Sequence, residues 1–296
     1  MRLRKAFLII GLGTILSATA ATAATLGPPL ALMGQDQWGV GLEYGRQSVD
    51  LQADGTVDVT YLGVRSVVAE SLCIEDLNVN MVFGTLAYGV WDDWDVFVRL
   101  GASDAEADVN IRGYDVSGEL GDAQQYAIDS FDSSYGFAWG VGTRATFHRW
   151  GPWAIGGLAQ FTWFQPDEGD VSYTDPLLEA GASHAGEMSL DYWTVQLSLA
   201  AVYQVDAWQF WAGPFVQFIR GDLDRNGEVV VNDEDDPIAG SFDGSADLEE
   251  ESQIGAHVGA TWDVADEWNV WAEGQFTGDS WLIGLGLIFL PGRSSL

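Results

Sequence analysis

The chain has 296 residues and a formal net charge of −32 at pH 7, from 44 acidic and 12 basic residues. Such a surface repels nucleic acid and anionic lipid, which bind proteins through Lys and Arg, and it attracts divalent cations. Yet 47% of the residues are hydrophobic, 14 are Trp and 36 are Gly, whereas a disordered acidic chain is poor in aromatic residues. The composition excludes a nucleic-acid-binding protein and predicts a folded chain whose charge is segregated from its apolar residues.

The N-terminus has the three parts of a secretory signal peptide. A basic start that ends at Lys5 precedes an apolar run over 6–16, and both Ala18-Thr19-Ala20 and Ala21-Thr22-Ala23 fit the small-residue cleavage pattern. The apolar run is too short for a membrane-spanning helix, which needs about 20 apolar residues. We therefore expect Sec-type export with cleavage after Ala23. Because Lys5 is the only lysine, the remaining chain contains none.

After the signal peptide, stretches of alternating apolar and small or polar residues recur along the chain. In 137–147, for example, Phe, Trp, Val, Thr, Ala and Phe alternate with Ala, Gly, Gly, Arg and Thr. Alternation of this kind predicts β-strands with one face in apolar surroundings. The other face is mostly glycine and small residues, which suits the crowded interior of a small barrel better than a solvated surface.

The connections between these stretches alternate in length. Four short turns are each followed at once by a tryptophan and a new strand: Trp94, Trp153, Trp208 and Trp268. Long polar segments separate the other strand pairs, at 51–78, 104–134, 166–187 and 221–251, and the last of these alone holds twelve Asp and Glu. Short periplasmic turns, long extracellular loops and interfacial aromatic residues are typical of outer-membrane barrels.

We therefore predict an all-β fold, an antiparallel transmembrane β-barrel of about ten strands with long acidic extracellular loops; eight or twelve strands are the alternatives. The expected organisation is a signal peptide (1–23), an N-terminal lead-in (24–35), the barrel (36–290) and a C-terminal tail (291–296). The ten predicted strands cover 36–49, 79–91, 94–103, 135–148, 153–165, 188–205, 208–220, 252–264, 268–277 and 280–290.

The turn-strand units, such as Asp93-Trp94-Asp95-Val96-Phe97-Val98-Arg99-Leu100-Gly101, and the closing strand with Gly284-x-x-Leu287-x-Phe289 resemble the small Gram-negative outer-membrane barrels of the broad OmpA-like superfamily. The resemblance implies insertion into the outer membrane by the barrel-assembly machinery and contact with lipid and lipopolysaccharide. The chain departs from the pattern at Leu282, where a polar residue is usual, and in the seven residues after Phe289.

One segment matches the spacing of a twelve-residue EF-hand-type calcium loop. Its oxygen ligands would come from Asp222, Asp224, Asn226 and Asp233, with a backbone carbonyl at Glu228 and Gly227 for the sharp turn. Asp233 replaces the usual bidentate Glu, and the flanks are not helical. The sequence thus offers Ca²⁺ as a candidate cofactor, with diffuse binding of divalent cations by an acidic loop as the alternative.

A second set of charged residues is expected inside the barrel. A charge that leaves water must be paired, so we expect a carboxylate–arginine network that fills the lumen, with Asp95 nearer the periplasmic rim. A selectivity-setting pore lining is the alternative. The residues that the alternation points inward are Glu43, Arg99, Arg144, His257 and Glu273.

Catalytic motifs are lacking in the sequence. It contains no phosphate-binding loop, zinc spacing or usable Ser-His-Asp arrangement, and His184 is the only histidine predicted in a loop. We expect no enzymatic activity. Two functions remain: a structural or surface-interaction barrel that works through acidic, calcium-binding loops, and a small cation-preferring channel or porin. The narrow, glycine-rich interior favours the first.

Overall fold

The computed structural model describes residues 24–61, 63–115, 126–175, 182–231, 238–249 and 253–291. Within these ranges the chain forms a single antiparallel sheet of fourteen strands, and no helix is long and apolar enough to cross a membrane. The strands are β1 (Trp38–Tyr61), β2 (Val64–Trp91), β3 (Trp94–Ser103), β4 (Glu106–Asp115), β5 (Tyr126–Ser133), β6 (Gly136–Trp150), β7 (Trp153–Gln165), β8 (Gly169–Asp175), β9 (Ala182–Val205), β10 (Trp208–Val231), β11 (Ile238–Glu249), β12 (Ile254–Ala265), β13 (Trp268–Phe276) and β14 (Ser280–Phe289).

Ten of the fourteen strands close into a ring, which we call the ten-stranded ring. Its order is β1-β2-β3-β6-β7-β9-β10-β12-β13-β14, and β14 pairs back to β1 with Val40 opposite Phe289 and Val49 opposite Ser280. Each of these ten strands corresponds to a predicted one, although β1, β2, β9 and β10 extend well beyond their predicted bounds. The predicted fold class is confirmed, whereas the fourteen strands of the sheet exceed the predicted count of about ten. The four short turns join neighbouring strands at one end of this ring, as expected.

Four strands continue past the ten-stranded ring and take part in a second one. In this eight-stranded ring β11 pairs with both β1 and β10, while β4, β5 and β8 connect β2 to β9. The sequence predicts long loops over 51–78, 104–134, 166–187 and 221–251, and that prediction is wrong for their described parts, which are almost wholly strand. These segments are rich in acidic residues, but the acids alternate regularly with apolar residues whose side chains point inward.

β10 shows how one strand serves both rings. Its outward side chains are Trp208, Phe210, Ala212, Pro214, Val216 and Phe218, followed by Arg220, Asp222, Asp224, Asn226 and Glu228. The direction of the side chains does not change along β10; only their chemistry does. At about 3.4 Å per residue the 24-residue strand is about 80 Å long, whereas a tilted membrane strand needs only about 9–11 residues. The switch after Phe218 therefore marks the membrane boundary, and the eight-stranded ring projects into water.

The interior of the barrel is packed, not open. Inside the eight-stranded ring and at its junction with the wider ring, a cluster of buried side chains that includes Leu72, Ile74, Phe131, Leu190 and Leu223 forms an apolar core. In the ten-stranded ring, glycines make room for large inward rings, since a Cβ at Gly142 would overlap the Phe97 ring and one at Gly286 would overlap Trp271. The inner glycine face predicted from the sequence thus serves to admit aromatic side chains.

We predict that Leu223→Ala lowers the free energy of unfolding by about 2–5 kcal/mol, because Leu223 is 1% exposed and its loss leaves a cavity in the core of the eight-stranded ring. The measurement is urea unfolding of the refolded barrel in detergent. Asp224→Ala is the matched control, since Asp224 is the next residue on the same strand but faces water. Equal effects of the two changes would contradict an apolar interior in the projecting ring.

Candidate functional site

The N-terminal segment lies inside the ten-stranded ring. Residues 24–33, which we call the lumen plug, run through the interior before the chain turns at the periplasmic rim into β1. Ala24, Leu26, Leu30 and Met33 are all buried. The predicted lead-in over 24–35 is therefore largely an internal element that occupies the space where a pore would be.

The inward charges hold this plug in place. Glu43 accepts hydrogen bonds from the hydroxyls of Thr25 (3.1 Å) and Thr85 (2.7 Å), and it lies 3.3 Å from an Arg99 nitrogen. Arg99 in turn donates to the Thr25 carbonyl oxygen at 2.7 Å. Glu273 accepts from the Gly27 amide at 3.0 Å. Each carboxylate thus joins the barrel wall to the plug.

A second ion pair lies nearer the periplasmic rim. Arg144 Nε donates to Asp95 Oδ1 at 2.9 Å, and the other carboxylate oxygen of Asp95 accepts from the backbone amide of Leu32 at 2.7 Å. The guanidinium groups of Arg99 and Arg144 both lie over the Phe97 ring, 4.8 and 5.0 Å from its centroid. Both cations therefore interact favourably with the same aromatic ring.

His257 is the fifth inward residue of the predicted set. It is buried, its ring packs edge-on against Phe215, and neither ring nitrogen has a hydrogen-bond partner. The structure therefore places all five inside the barrel but brings only Glu43, Arg99 and Glu273 together around the plug, with Arg144 one layer nearer the periplasm.

A layer of glutamines above the charges was not anticipated from the sequence. Gln160 Nε2 donates to the Thr25 carbonyl at 3.1 Å and to Gln196 Oε1 at 2.6 Å, and Gln196 donates to Gln275 at 3.1 Å. All three side chains alternate inward on strands of the ten-stranded ring. Their position on the small-residue face was the only sequence feature that could have indicated this layer, because neutral amide side chains do not contribute to a charge pattern.

The projecting ring contains a further buried ion pair, Glu70 with Arg225, which is also absent from the predictions. The Arg225 guanidinium lies 5.9 Å from the centroid of the Phe242 ring, and His184 packs against the same ring. Burial raises the pKa of the Glu70 carboxyl, while Arg225 beside it acts in the opposite direction. His184, predicted in a loop, is a buried residue of β9.

The predicted calcium loop is not formed. Its described part lies within β10, where Asp222, Asp224, Asn226 and Glu228 follow one another along the outer face; Asp233 falls outside the described residues. Alternate residues on a strand are about 6.7 Å apart, so these four extend over about 20 Å. Calcium ligands must lie about 2.3–2.6 Å from one ion, and these cannot converge. The loop geometry is therefore wrong for residues 222–231.

The same strand pairing instead arranges carboxylates in rows across the outer face. In the first row Asp54 is opposite Asp247, Asp247 is opposite Asp222, and Asp222 is opposite Asp191. Cross-strand partners have Cβ atoms about 4.5–5.5 Å apart, and like charges there repel. A second row crosses the outer face of the same ring, and we call the outward residues of the two rows the acidic wall. The second row is Asp58, Asp243, Asn226, Glu187, Asp170 and Asp132.

The acidic wall offers neighbouring carboxylates without enclosing an ion. Within the described ranges no group of three or more His, Cys, Asp or Glu side chains is arranged to hold a metal. Among the described residues, Arg65 pairs with Asp58 of the wall, and Arg220 pairs with Glu249, which is outside the two rows. The wall thus has the chemistry of an open, multivalent cation-attracting surface rather than of a closed coordination site.

Aromatic side chains mark both edges of the apolar band. At the short turns the Trp153 ring packs at a tilt against Tyr203 (centroids 4.8 Å apart), and Trp268 packs in the same way against Phe289 (4.8 Å). Trp94 and Trp208 occupy the equivalent positions on β3 and β10, beside Trp91 and Trp262. A second girdle, which the sequence pattern did not predict, lies at the opposite edge and consists of Tyr44, Trp139, Trp163, Trp193 and Trp281.

Comparison with known proteins yields a likeness in fold only. No protein-family model and no curated protein matches the chain. Similar solved structures include the outer membrane protease OmpT from Escherichia coli (9% identity, TM-score 0.48, 86% of this chain and 97% of that chain). Others are OprG from Pseudomonas aeruginosa (12%, 0.35, 87% and 97%) and the CymD monoaromatic hydrocarbon channel (9%, 0.36, 86% and 89%). At these values the likeness assigns neither activity nor ligand to this chain.

A closed antiparallel ring with an apolar outer band between two aromatic girdles defines this chain as a transmembrane β-barrel of the Gram-negative outer-membrane type. Because no family model matches, the narrower resemblance to the OmpA-like superfamily stays a prediction.

We predict that Arg144→Met lowers the free energy of unfolding by about 3–5 kcal/mol, because it leaves the Asp95 carboxylate buried and unpaired. Adding Asp95→Asn should recover most of this loss, since the remaining amide is neutral and still accepts from the lumen plug. Urea unfolding of the wild type, both single variants and the double variant measures the coupling free energy between Arg144 and Asp95.

The exposed pair Arg149–Asp93 serves as the control, with an expected coupling free energy of less than about 1 kcal/mol. Strictly additive effects at Arg144 and Asp95 would contradict a coupled pair.

Proposed function

We propose that this protein is a non-conducting, non-enzymatic outer-membrane barrel that binds divalent cations on its acidic wall and, through them, the phosphates of lipopolysaccharide. The observation that carries the proposal is the cross-strand row Asp54, Asp247, Asp222 and Asp191 on the rigid ring that projects above the membrane boundary. Sec-type export, with folding by the barrel-assembly machinery, would deliver the chain to this location.

The filled lumen disfavours the alternative of a cation channel. The lumen plug is fixed to the wall by Glu43 of β1, Glu273 of β13 and Asp95 of β3. Above it lie the glutamine layer and then the apolar core of the projecting ring. An ion crossing this interior would have to displace a paired plug and then enter apolar side chains, at a high desolvation cost.

Neighbouring carboxylates on a strand ladder suit cation bridging. Because adjacent members of a row repel each other, a divalent cation between them relieves the repulsion and gains two carboxylate contacts. The rows lie on the outer surface of the eight-stranded ring, so a bound Ca²⁺ or Mg²⁺ keeps coordination positions that an external phosphate oxygen can fill. The wall begins directly above the aromatic girdle, at the height where lipid phosphates are found.

We predict that the refolded chain from Ala24 onward inserts into planar bilayers without discrete current steps, because the plug and the apolar core block the lumen. Insertion is verified independently by the heat-modifiable band of the folded barrel in the same preparation. Discrete, cation-selective openings would overturn the non-conducting assignment and make the inward charges a pore lining.

We predict that the triple variant Asp191→Asn, Asp222→Asn, Asp247→Asn binds Ca²⁺ about tenfold more weakly than the wild type, a change of about 1.4 kcal/mol, because it removes three adjacent members of one row. The measurement is calorimetric titration of the folded barrel with Ca²⁺ at low ionic strength, followed by co-sedimentation with lipopolysaccharide vesicles with and without a chelator.

The matched control removes the same charge from carboxylates that do not form a row: Asp167→Asn, Glu168→Gln, Asp266→Asn. We expect this control to keep the wild-type affinity and the chelator-sensitive sedimentation. If both triple variants lose affinity equally, the effect comes from net charge alone and the proposed role of the row is wrong.

A further inference from the structure

The lumen cluster around the plug has an excess of negative charge. It contains two carboxylates, Glu43 and Glu273, and one guanidinium, Arg99, and each of these side chains is at most 5% exposed. The nearest other ion pair, Asp95 with Arg144, is already balanced. A buried, uncompensated charge is costly, and one further positive group in this layer would balance the second carboxylate.

Ala24 lies at this cluster. Its carbonyl oxygen accepts a hydrogen bond from Gln275 Nε2 at 3.2 Å, and the same nitrogen donates to Glu273 Oε1 at 3.0 Å. The next residue, Thr25, bonds to Glu43. The backbone nitrogen of Ala24 is about 3 Å from its own carbonyl oxygen. Ala24 is thus linked to Glu273 through the Gln275 amide and to Glu43 through the neighbouring Thr25.

A buried acceptor beside Ala24 also lacks a donor. Gln160 Nε2 approaches the Ala24 carbonyl at 3.5 Å and the Thr25 carbonyl at 3.1 Å, while Gln160 Oε1 is buried with no hydrogen-bond partner. The side chain is 4% exposed, so water does not satisfy it readily. An additional N–H donor at Ala24 would fill this gap.

We propose that the mature chain begins at Ala24 and that its α-ammonium group, enclosed in the barrel, is the missing cation of the Glu43–Arg99–Glu273 cluster. Cleavage of the peptide bond between Ala23 and Ala24 by water turns an amide nitrogen into an amine that is protonated near neutral pH, since α-amino groups have pKa values of about 7.7–8.0. Processing of the leader thus completes the lumen charge balance, and this proposal is independent of the cation-binding role of the acidic wall.

The absence of lysine from the chain after residue 5 makes the test selective, because the α-amino group is the only primary amine in the mature protein. Protein purified from outer membranes is first analysed by intact mass, which should correspond to a chain from Ala24. It is then treated with an amine-acetylating reagent. We expect the folded barrel to react about 100-fold more slowly than the urea-unfolded chain, since a buried amine reacts only from opened states. A different N-terminus, or equal rates for the two states, would overturn the proposal.

Two modifications of the α-amino group, made on the unfolded mature chain before refolding, distinguish the effect of its positive charge from the effect of added bulk. Reductive dimethylation keeps the positive charge, and we expect a folded fraction close to that of the unmodified chain. Acetylation removes the charge and should lower the folded fraction at a fixed urea concentration. Glu273→Gln should then raise the folded fraction of the acetylated chain, because it restores neutrality, whereas the exposed control Glu106→Gln should not. Equal loss after both modifications, or no rescue by Glu273→Gln, would contradict the assignment.

Discussion

Every backbone N–H and C=O group that faces lipid must find its partner within the protein, because hydrocarbon offers none. In this chain the requirement is met by closing ten strands into a ring, with β14 paired to β1. Closure fixes which side chains point outward to lipid and which point inward, and it does so for every residue at once. The apolar outer band, the glycine-rich inner face and the position of the charges all follow from that single constraint.

The closed ring then creates an interior that has to be filled. Residues 24–33 fill part of it, and the carboxylates of Glu43, Glu273 and Asp95 attach this segment to the wall. Inward aromatic rings such as Phe97 and Trp271 occupy the space that the inner glycines leave open. The result resembles the core of a water-soluble protein more than the lining of a pore, and the three buried carboxylates each accept a hydrogen bond from the plug.

Above the membrane, water can pair with exposed backbone groups, so the sheet is no longer required to have an apolar outer face. Some of the membrane strands continue here into a second, narrower ring. β1, β2, β9 and β10 continue as the frame of an eight-stranded ring, in which apolar residues point inward and acids point outward. The acidity of the chain therefore has a location: it is concentrated on the outer face of a rigid ring. Strand pairing places like charges opposite one another, which a flexible acidic loop would avoid and which divalent cations relieve.

Much of this organisation could be predicted from the sequence, because alternation with period two is a local property. The ten strands, the short turns at Trp94, Trp153, Trp208 and Trp268, and the inward position of Glu43, Arg99 and Glu273 all follow from local patterns of that kind. The second girdle, with Trp139 and Trp163, was missed because no turn marks it.

The remaining features were decided only by the tertiary structure. Residues 222–233 have the spacing of a calcium loop, and nothing local distinguishes that interpretation from a strand. For residues 222–231 the pairing of β10 with β9 and β11 decides it, because long-range hydrogen bonds extend the backbone. The lumen plug likewise has no sequence signature, since Ala24 and Leu26 become buried only when a barrel closes around them. Local periodicity fixes which way a side chain points, whereas the partner it meets depends on residues as distant as Gly27 and Glu273.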